Sequence, residues 1–217
     1  MNVLLVIFYG QLTVHNLLQD LIFTPTCIGC GRFGISVCSQ CLANLDPPQV
    51  KQISNVDKVI CVGDYSGWLK EALIEYKSGK YQLARGLAET LLEKSLSQIE
   101  PFVVVPIPTS DEKIKLRQVD TISNLATFVN RLDRRYRVVK SLSITKKVTD
   151  QVGLNEHQRF INLQGAFSAK TRVPETVILL DDVITTGATM SAAAQALKIA
   201  GARRVIAVGL CAASKVH

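Results

Sequence analysis

From Thr176 to Cys211 the chain reads as one unit. The apolar run Thr-Val-Ile-Leu-Leu is followed by the acidic pair Asp181 and Asp182, the loop Val-Ile-Thr-Thr-Gly-Ala-Thr, a helical stretch, the turn Gly201–Ala202 and a second apolar run from Arg204. Met190, Ala193, Ala194 and Leu197 give the helical stretch a single apolar stripe, so it packs on the strands it connects. This is a βαβ crossover, and it commits the chain to an α/β sheet. Upstream, apolar runs at Lys58 to Tyr65, Phe102 to Pro106 and Arg137 to Ile144 are predicted as further strands, with Thr176 to Asp181 and Arg204 to Cys211 completing the set. Helices are predicted at Leu83 to Ile99, where Leu83, Leu87, Leu91 and Leu92 share a face. A second runs from Ile122 to Leu132, where Ile122, Leu125, Ala126 and Val129 do so. At 217 residues the chain has room for one substantial core and a small appendage.

The crossover also carries chemistry. Open α/β sheets bind ligands at the carboxyl ends of their strands, and the loop Thr185, Thr186, Gly187, Ala188 and Thr189 opens a helix at that edge. It offers free backbone N–H groups, three hydroxyls and the positive end of a helix dipole, which suits a phosphate. No GxxxxGK[ST] is present, so the loop reads as a monophosphate cradle. Asp181 and Asp182 stand just upstream at the predicted strand end, where carboxylates accept hydrogen bonds from sugar hydroxyls or hold Mg²⁺ through water. Taken singly, such residues commonly cap loops and helices. Together at one strand end they fit a ribose 5-phosphate.

Four of the six cysteines fall as Cys27, Cys30, Cys38 and Cys41, two CxxC pairs seven residues apart. Two such pairs complete the closed tetrahedral shell of structural zinc, with Gly31 suited to a tight knuckle. Disulfides are disfavoured in a reducing compartment, and redox chemistry is disfavoured by tandem pairs outside any βαβ pattern. Zinc here folds a stretch too small for its own core. Cys61 and Cys211, in apolar runs, read as ordinary buried thiols.

The N-terminal stretch has Leu17, Leu18, Leu21 and Ile22 at helical spacing, and Pro47 and Pro48 mark a linker. The expected organisation is therefore a helix and zinc-binding module over 1–46 and an α/β domain over 55–217. Met1 to Tyr9 is apolar but breaks at Gly10 and Gln11, short of the ~20 residues a membrane span needs. The first cation is Arg32, so a charged secretory n-region is missing and a cytoplasmic location is expected. The net charge of +7 is local: from Asp111 to Lys147 ten basic residues stand against four acidic ones. That field favours an anionic partner, a polyphosphate metabolite or a nucleic acid backbone, or is simply a solvated face.

Val177 to Thr189, VILLDDVITTGAT, resembles the thirteen-residue motif with which type I phosphoribosyltransferases bind 5-phosphoribosyl 1-pyrophosphate (PRPP). With the CxxC pairs, the VPIP of Val105 to Pro108 and the stretch Asp150 to Phe167, the chain from Leu17 to Ala213 resembles the ComF/GntX family of competence-associated proteins. The resemblance implies that Asp181 and Asp182 contact the ribose hydroxyls and the Mg²⁺ of bound PRPP, and that Thr185 to Thr189 hold the 5-phosphate. It implies a pyrophosphate side at Pro106 to Ser110 and a place for Lys77, in EYKSGK, at the same cleft. Arg117, Gln118, Val119 and Asp120 depart from the family's Arg-Gly-aromatic-Asp/Asn stretch, lacking the glycine and the aromatic. Arg159 and Asn162, three apart, are predicted on one helix face, where they reach the cleft or pair with Glu156 and solvent.

Two functions follow from the resemblance. In the first, a phosphoribosyltransferase displaces pyrophosphate from C1 of PRPP, with an acceptor the sequence does not reveal. None of His15, His157 and His217 belongs to a catalytic constellation. In the second, a non-catalytic accessory factor engages single-stranded DNA through the basic region 111–147 and the zinc module, and PRPP only sets its conformation. The family's association with competence implies a DNA-uptake pathway and a competence helicase as partner. Phe128 and Tyr136 alone interrupt the basic stretch, so base stacking is poorly supplied.

Overall fold

The computed structural model describes residues 25–100, 103–145 and 165–213. The predicted N-terminal helix, the three histidines, Arg159 and Asn162 lie outside the described residues.

Strands β1 (Lys58–Asp64), β2 (Val103–Pro106), β5 (Thr176–Ile184) and β6 (Arg204–Ala212) form a parallel sheet in the order β1-β6-β5-β2. Strand alternation divides its side chains between two cores. Ile178, Leu180, Ile206, Val208 and Leu210 face helices α2 (Gly67–Lys77), α3 (Ala84–Lys94) and α5 (Thr121–Leu132). Val177, Leu179, Val205 and Ala207 face α6 (Ala188–Ile199), whose predicted stripe Met190, Ala193, Ala194 and Leu197 is wholly buried. Each fully buried Leu, Ile or Val contributes roughly 1.5–3 kcal/mol, so both faces stabilise the sheet. A mixed α/β fold with a central parallel sheet between helices is what the crossover required. Among the described residues no helix is long and apolar enough to cross a membrane.

Several boundaries differ from the sequence reading. The stretch Arg137 to Ile144 is not one strand. Val138 bridges to Val104 at the sheet edge, then the chain leaves, and β3 (Leu142–Ile144) pairs antiparallel with β4 (Phe167–Ala169) against α6. The predicted helix from Leu83 to Ile99 breaks at Ser95, where ψ is −59° and φ −128°, and a 3₁₀ turn follows at Leu96–Gln98. β5 runs three residues beyond Asp181 because its pairing with β6 continues to Ile184↔Ala212.

The cysteine module docks on the sheet domain through two close approaches. A Cβ on Gly86 of α3 would lie 2.9 Å from Ile28 and from the Ser36 carbonyl. One on Gly29 would lie 3.1 Å from Trp68 of α2. Leu45, just after the short helix α1 (Ser39–Ala43), is already part of the sheet's core.

Candidate functional site

The module brings its four cysteines together. Zinc–sulfur bonds of about 2.3 Å in a tetrahedron set sulfurs about 3.8 Å apart. Here Cys27 and Cys41 are 3.8 Å apart, Cys30 and Cys38 are 3.7 Å apart, and all four sulfurs lie within 4.8 Å of one another. Cys38 caps α1, its sulfur accepting from the Cys41 N–H, and the Cys27 sulfur accepts from the Cys38 N–H. Burial opposes ionisation at Cys27, but N–H groups of Cys30, Gly29 and Cys38 outweigh it and hold the thiol down to about 6. Burial pushes Cys41 up, helped by the neighbouring sulfurs. The residues are positioned to hold a metal ion, and their spacing is consistent with structural zinc. Cys61 and Cys211 lie apart from this cluster as buried thiols, each pushed up to about 12 by burial.

The second site lies where β2 stops short of its neighbour. Pro106 is the last residue of β2 to pair, opposite Leu180, and beyond that point β5 is paired only with β6. Asp181 and Asp182 occupy this half-open stretch inside β5, a correction to their predicted place at the strand end. Alternation sends their side chains to opposite faces. Asp182, buried at 8% exposure, follows the even-numbered residues toward α2, where Lys77 Nζ lies 2.8 Å from its Oδ2. Asp181 follows the odd-numbered residues toward α6, and its Oδ1 accepts from the Asp182 N–H at 2.8 Å. Burial, with the Asp182 charge beside it, pushes the Asp181 carboxyl up to about 7, against the opposing pull of that N–H and of Lys77 and Lys113.

Lys77 is the last residue of α2, half-buried. Its neighbour Tyr76 fixes that helix end, donating its hydroxyl to the Thr121 carbonyl at 2.7 Å and accepting from Asn124 Nδ2 at 3.1 Å. Burial pushes the Tyr76 hydroxyl up, so it stays a donor.

Thr185 to Gly187 connect β5 to α6, and Ala188 and Thr189 begin the helix. Gly187 caps the helix at φ +77°, a left-handed conformation that glycine adopts without a Cβ clash. The Ala188 N–H makes a long 3.4 Å bond to Thr186 Oγ1, and N–H groups of a helix's first turn have no intrahelical acceptor. A small open concavity of about 10 Å³, room for about one water, runs from Asp181 along Ile184, Thr185 and Gly187 to Thr189 and Met190. The acid from β5 and the helix start therefore face one hollow. Asp182 and Lys77 lie on the other side of the strand.

On the β2 side, α4 (Asp111–Arg117) follows the loop Ile107 to Ser110 and carries the Lys113 whose charge acts on Asp181. The departure at Arg117 to Asp120 is a corner between helices. Gln118 takes φ +59°, a conformation suited to the glycine the family places there. Asp120 caps α5, accepting from the Ser123 N–H and from Thr109 Oγ1, both at 3.1 Å. Sequence reading singled out neither Lys113 nor Tyr76 as a site residue. The signal for Lys113 was its place in the basic stretch; Tyr76 had none beyond adjacency to Lys77.

Residues 124–215 match the phosphoribosyl transferase domain family. The chain is also 28% identical over 207 residues to competence protein F of Haemophilus influenzae, an alignment that covers 87% of this chain and 85% of that protein.

Proposed function

The chain is a ComF-like protein with a phosphoribosyltransferase domain, and from that premise we propose that the crevice at the end of β5 binds PRPP and exposes its C1 to displacement. One observation carries this reading: the helix start at Thr185 to Thr189 and the Asp181 carboxylate share one concavity where β2 has ended. The 5-phosphate sits against the first turn of α6, its charge met by the N–H groups and the dipole. The ribose hydroxyls donate to the carboxylates of Asp181 and Asp182. Lys77 holds the Asp182 carboxylate at 2.8 Å from the α2 side of the strand. Lys113 and the loop Ile107 to Ser110 flank the place where the pyrophosphate projects.

Mg²⁺ arriving with PRPP would supply charge neutralisation to the leaving pyrophosphate. The residues of this chain position the sugar. The bond from C1 to the pyrophosphate oxygen breaks with its electron pair going to that oxygen, and the acceptor atom bonds to C1 and loses a proton. A ring held at both its 5-phosphate and its hydroxyls presents C1 in one orientation, the form of catalysis that depends most on placement. In the module, Cys27, Cys30, Cys38 and Cys41 would supply all four ligands of a zinc ion, which would then serve folding.

The test is pyrophosphate release from PRPP and Mg²⁺ by the metal-loaded protein, assayed with nucleobases, with single-stranded DNA and alone. Acceptor-dependent release is the expected result. Binding of PRPP with no release under any condition overturns the transferase and leaves a PRPP-responsive accessory factor.

A further inference from the structure

The strap between the cysteine module and β1 lies against the loop assigned to the 5-phosphate. Ile53 is buried at 7% exposure in a cluster with Ile184, Ala188 and Met190, the residues that bracket the loop. The place a Cβ would take on Gly187 is 2.7 Å from both Cδ1 and Cγ1 of Ile53. This side chain therefore occupies the space beside the Gly187 α-carbon. Two residues on, Asn55 turns at φ +65° and its Nδ2 approaches the Ser191 carbonyl at 3.5 Å and the Ser191 hydroxyl at 3.4 Å, 136 residues away in sequence. Asp57 then accepts from the Val205 N–H at 2.8 Å and pairs with Lys198 at 3.2 Å. The strap thus runs along α6 from its first turn to its last and is held at both ends.

We propose that this strap is the back wall of the phosphate loop, with Ile53 and Asn55 as positioning residues that set affinity for the 5-phosphate without touching it. The inference rests on the reading of Thr185 to Thr189 as the 5-phosphate cradle. Ile53 does not line the concavity, so it acts from behind. Beyond this wall the loop is held by its backbone, the Gly187 carbonyl accepting from the Ser191 N–H at 2.8 Å, and by the long Thr186 bond, and its glycine has no side chain of its own to pack. Isoleucine, stiff at χ1, gives that glycine a fixed surface. With the surface removed, the loop spends less time in the binding conformation, and apparent affinity falls by that fraction.

The experiment compares wild type, Ile53→Ala, Ile53→Val, Asn55→Gly and Val56→Ala, all metal-loaded. Binding of Mg²⁺–PRPP, ribose 5-phosphate and Mg²⁺–pyrophosphate is measured by calorimetry. Ile53→Ala is expected to weaken PRPP and ribose 5-phosphate by about tenfold while pyrophosphate is unchanged, as a loss of loop population requires. Ile53→Val should keep affinity within about twofold, and Asn55→Gly, which retains the positive φ, should lose about threefold by the same population argument. Val56, buried in the same cluster, serves as the packing control, and its truncation should lower the melting temperature without changing affinity. Equal affinity in Ile53→Ala and wild type overturns the wall, as does an equal loss in Val56→Ala. If wild type binds neither phosphate ligand, the PRPP reading falls, and amide exchange over residues 186–191 decides the wall separately. Faster exchange there in Ile53→Ala sustains it, and unchanged exchange overturns it.

Discussion

The cysteine module and the crevice at β5 are both clusters of donors, but they are assembled in opposite ways. The module draws its four sulfurs from fifteen consecutive residues, Cys27 to Cys41, and they lie within 4.8 Å of one another. The crevice draws Lys77 from the end of α2, Asp181 and Asp182 from the middle of β5 and its N–H groups from the start of α6. Asp181 and the N–H groups face a hollow, and Asp182 with Lys77 lies across the strand from it. A closed set built from a local motif stabilises the chain that carries it. An open set built by the fold holds its polar groups ready for a ligand and tolerates a costly arrangement, two adjacent carboxylates with one largely buried.

The sharpest way to break this comparison is Cys38→Ser. Binding energies of about 10–16 kcal/mol for zinc in small fingers set the scale, so this variant should lose its metal and unfold residues 25–45. One metal per chain, retained by the variant, would contradict a four-cysteine site. Next in size, Asp181→Asn with Asp182→Asn should weaken PRPP binding at least about a hundredfold, roughly 3 kcal/mol, while metal content stays at the wild-type level. Together the two variants separate the regions; loss of both properties in either one would fuse them.

A smaller effect lies in the pH dependence of the unliganded protein. The folded-state pKa of Asp181, about 7, lies above the ordinary carboxyl value near 4, so between these values the native state binds more protons than the unfolded chain. Stability is therefore lost as pH rises through that window. Asp181→Asn should gain melting temperature over wild type at pH 8 by more than at pH 5. Parallel melting curves would show that burial does not strain this carboxyl. Smallest is Gln118→Gly. A left-handed conformation costs an L residue roughly 1–2 kcal/mol, offset by glycine's extra unfolded freedom of roughly 0.5–1 kcal/mol. The variant should gain about 2–3 °C in thermal unfolding. A loss would show that the Gln118 side chain holds the corner.

Features set by neighbours in sequence were legible, and those set by distant partners were not. CxxC spacing and the helical stripe of α6 each predict their own surroundings. The extension of β5 past Asp181, through Asp182 to Ile184, was missed because acidic residues are poor strand formers, and pairing with β6 overrides that preference. The break after Val138 was hidden because Arg137 to Ile144 has one strand-like pattern but two partners, the edge of β2 and the three-residue β4. Lys77 was placed at the cleft by resemblance alone; its ion pair with Asp182 depends on Tyr76 bonding to the start of α5. Ile53 carries no local signal, since its contact with Gly187 exists only once the chain has folded back on α6.

The central claim is that the concavity from Asp181 to Thr189 takes the ribose 5-phosphate end of PRPP. Calorimetric titration of the metal-loaded protein with PRPP and Mg²⁺ tests it most directly, repeated in the presence of saturating ribose 5-phosphate. One saturable site per chain, suppressed by the competitor, is the expected result. Absence of binding by correctly folded, metal-loaded protein, or binding that ribose 5-phosphate leaves untouched, would contradict it.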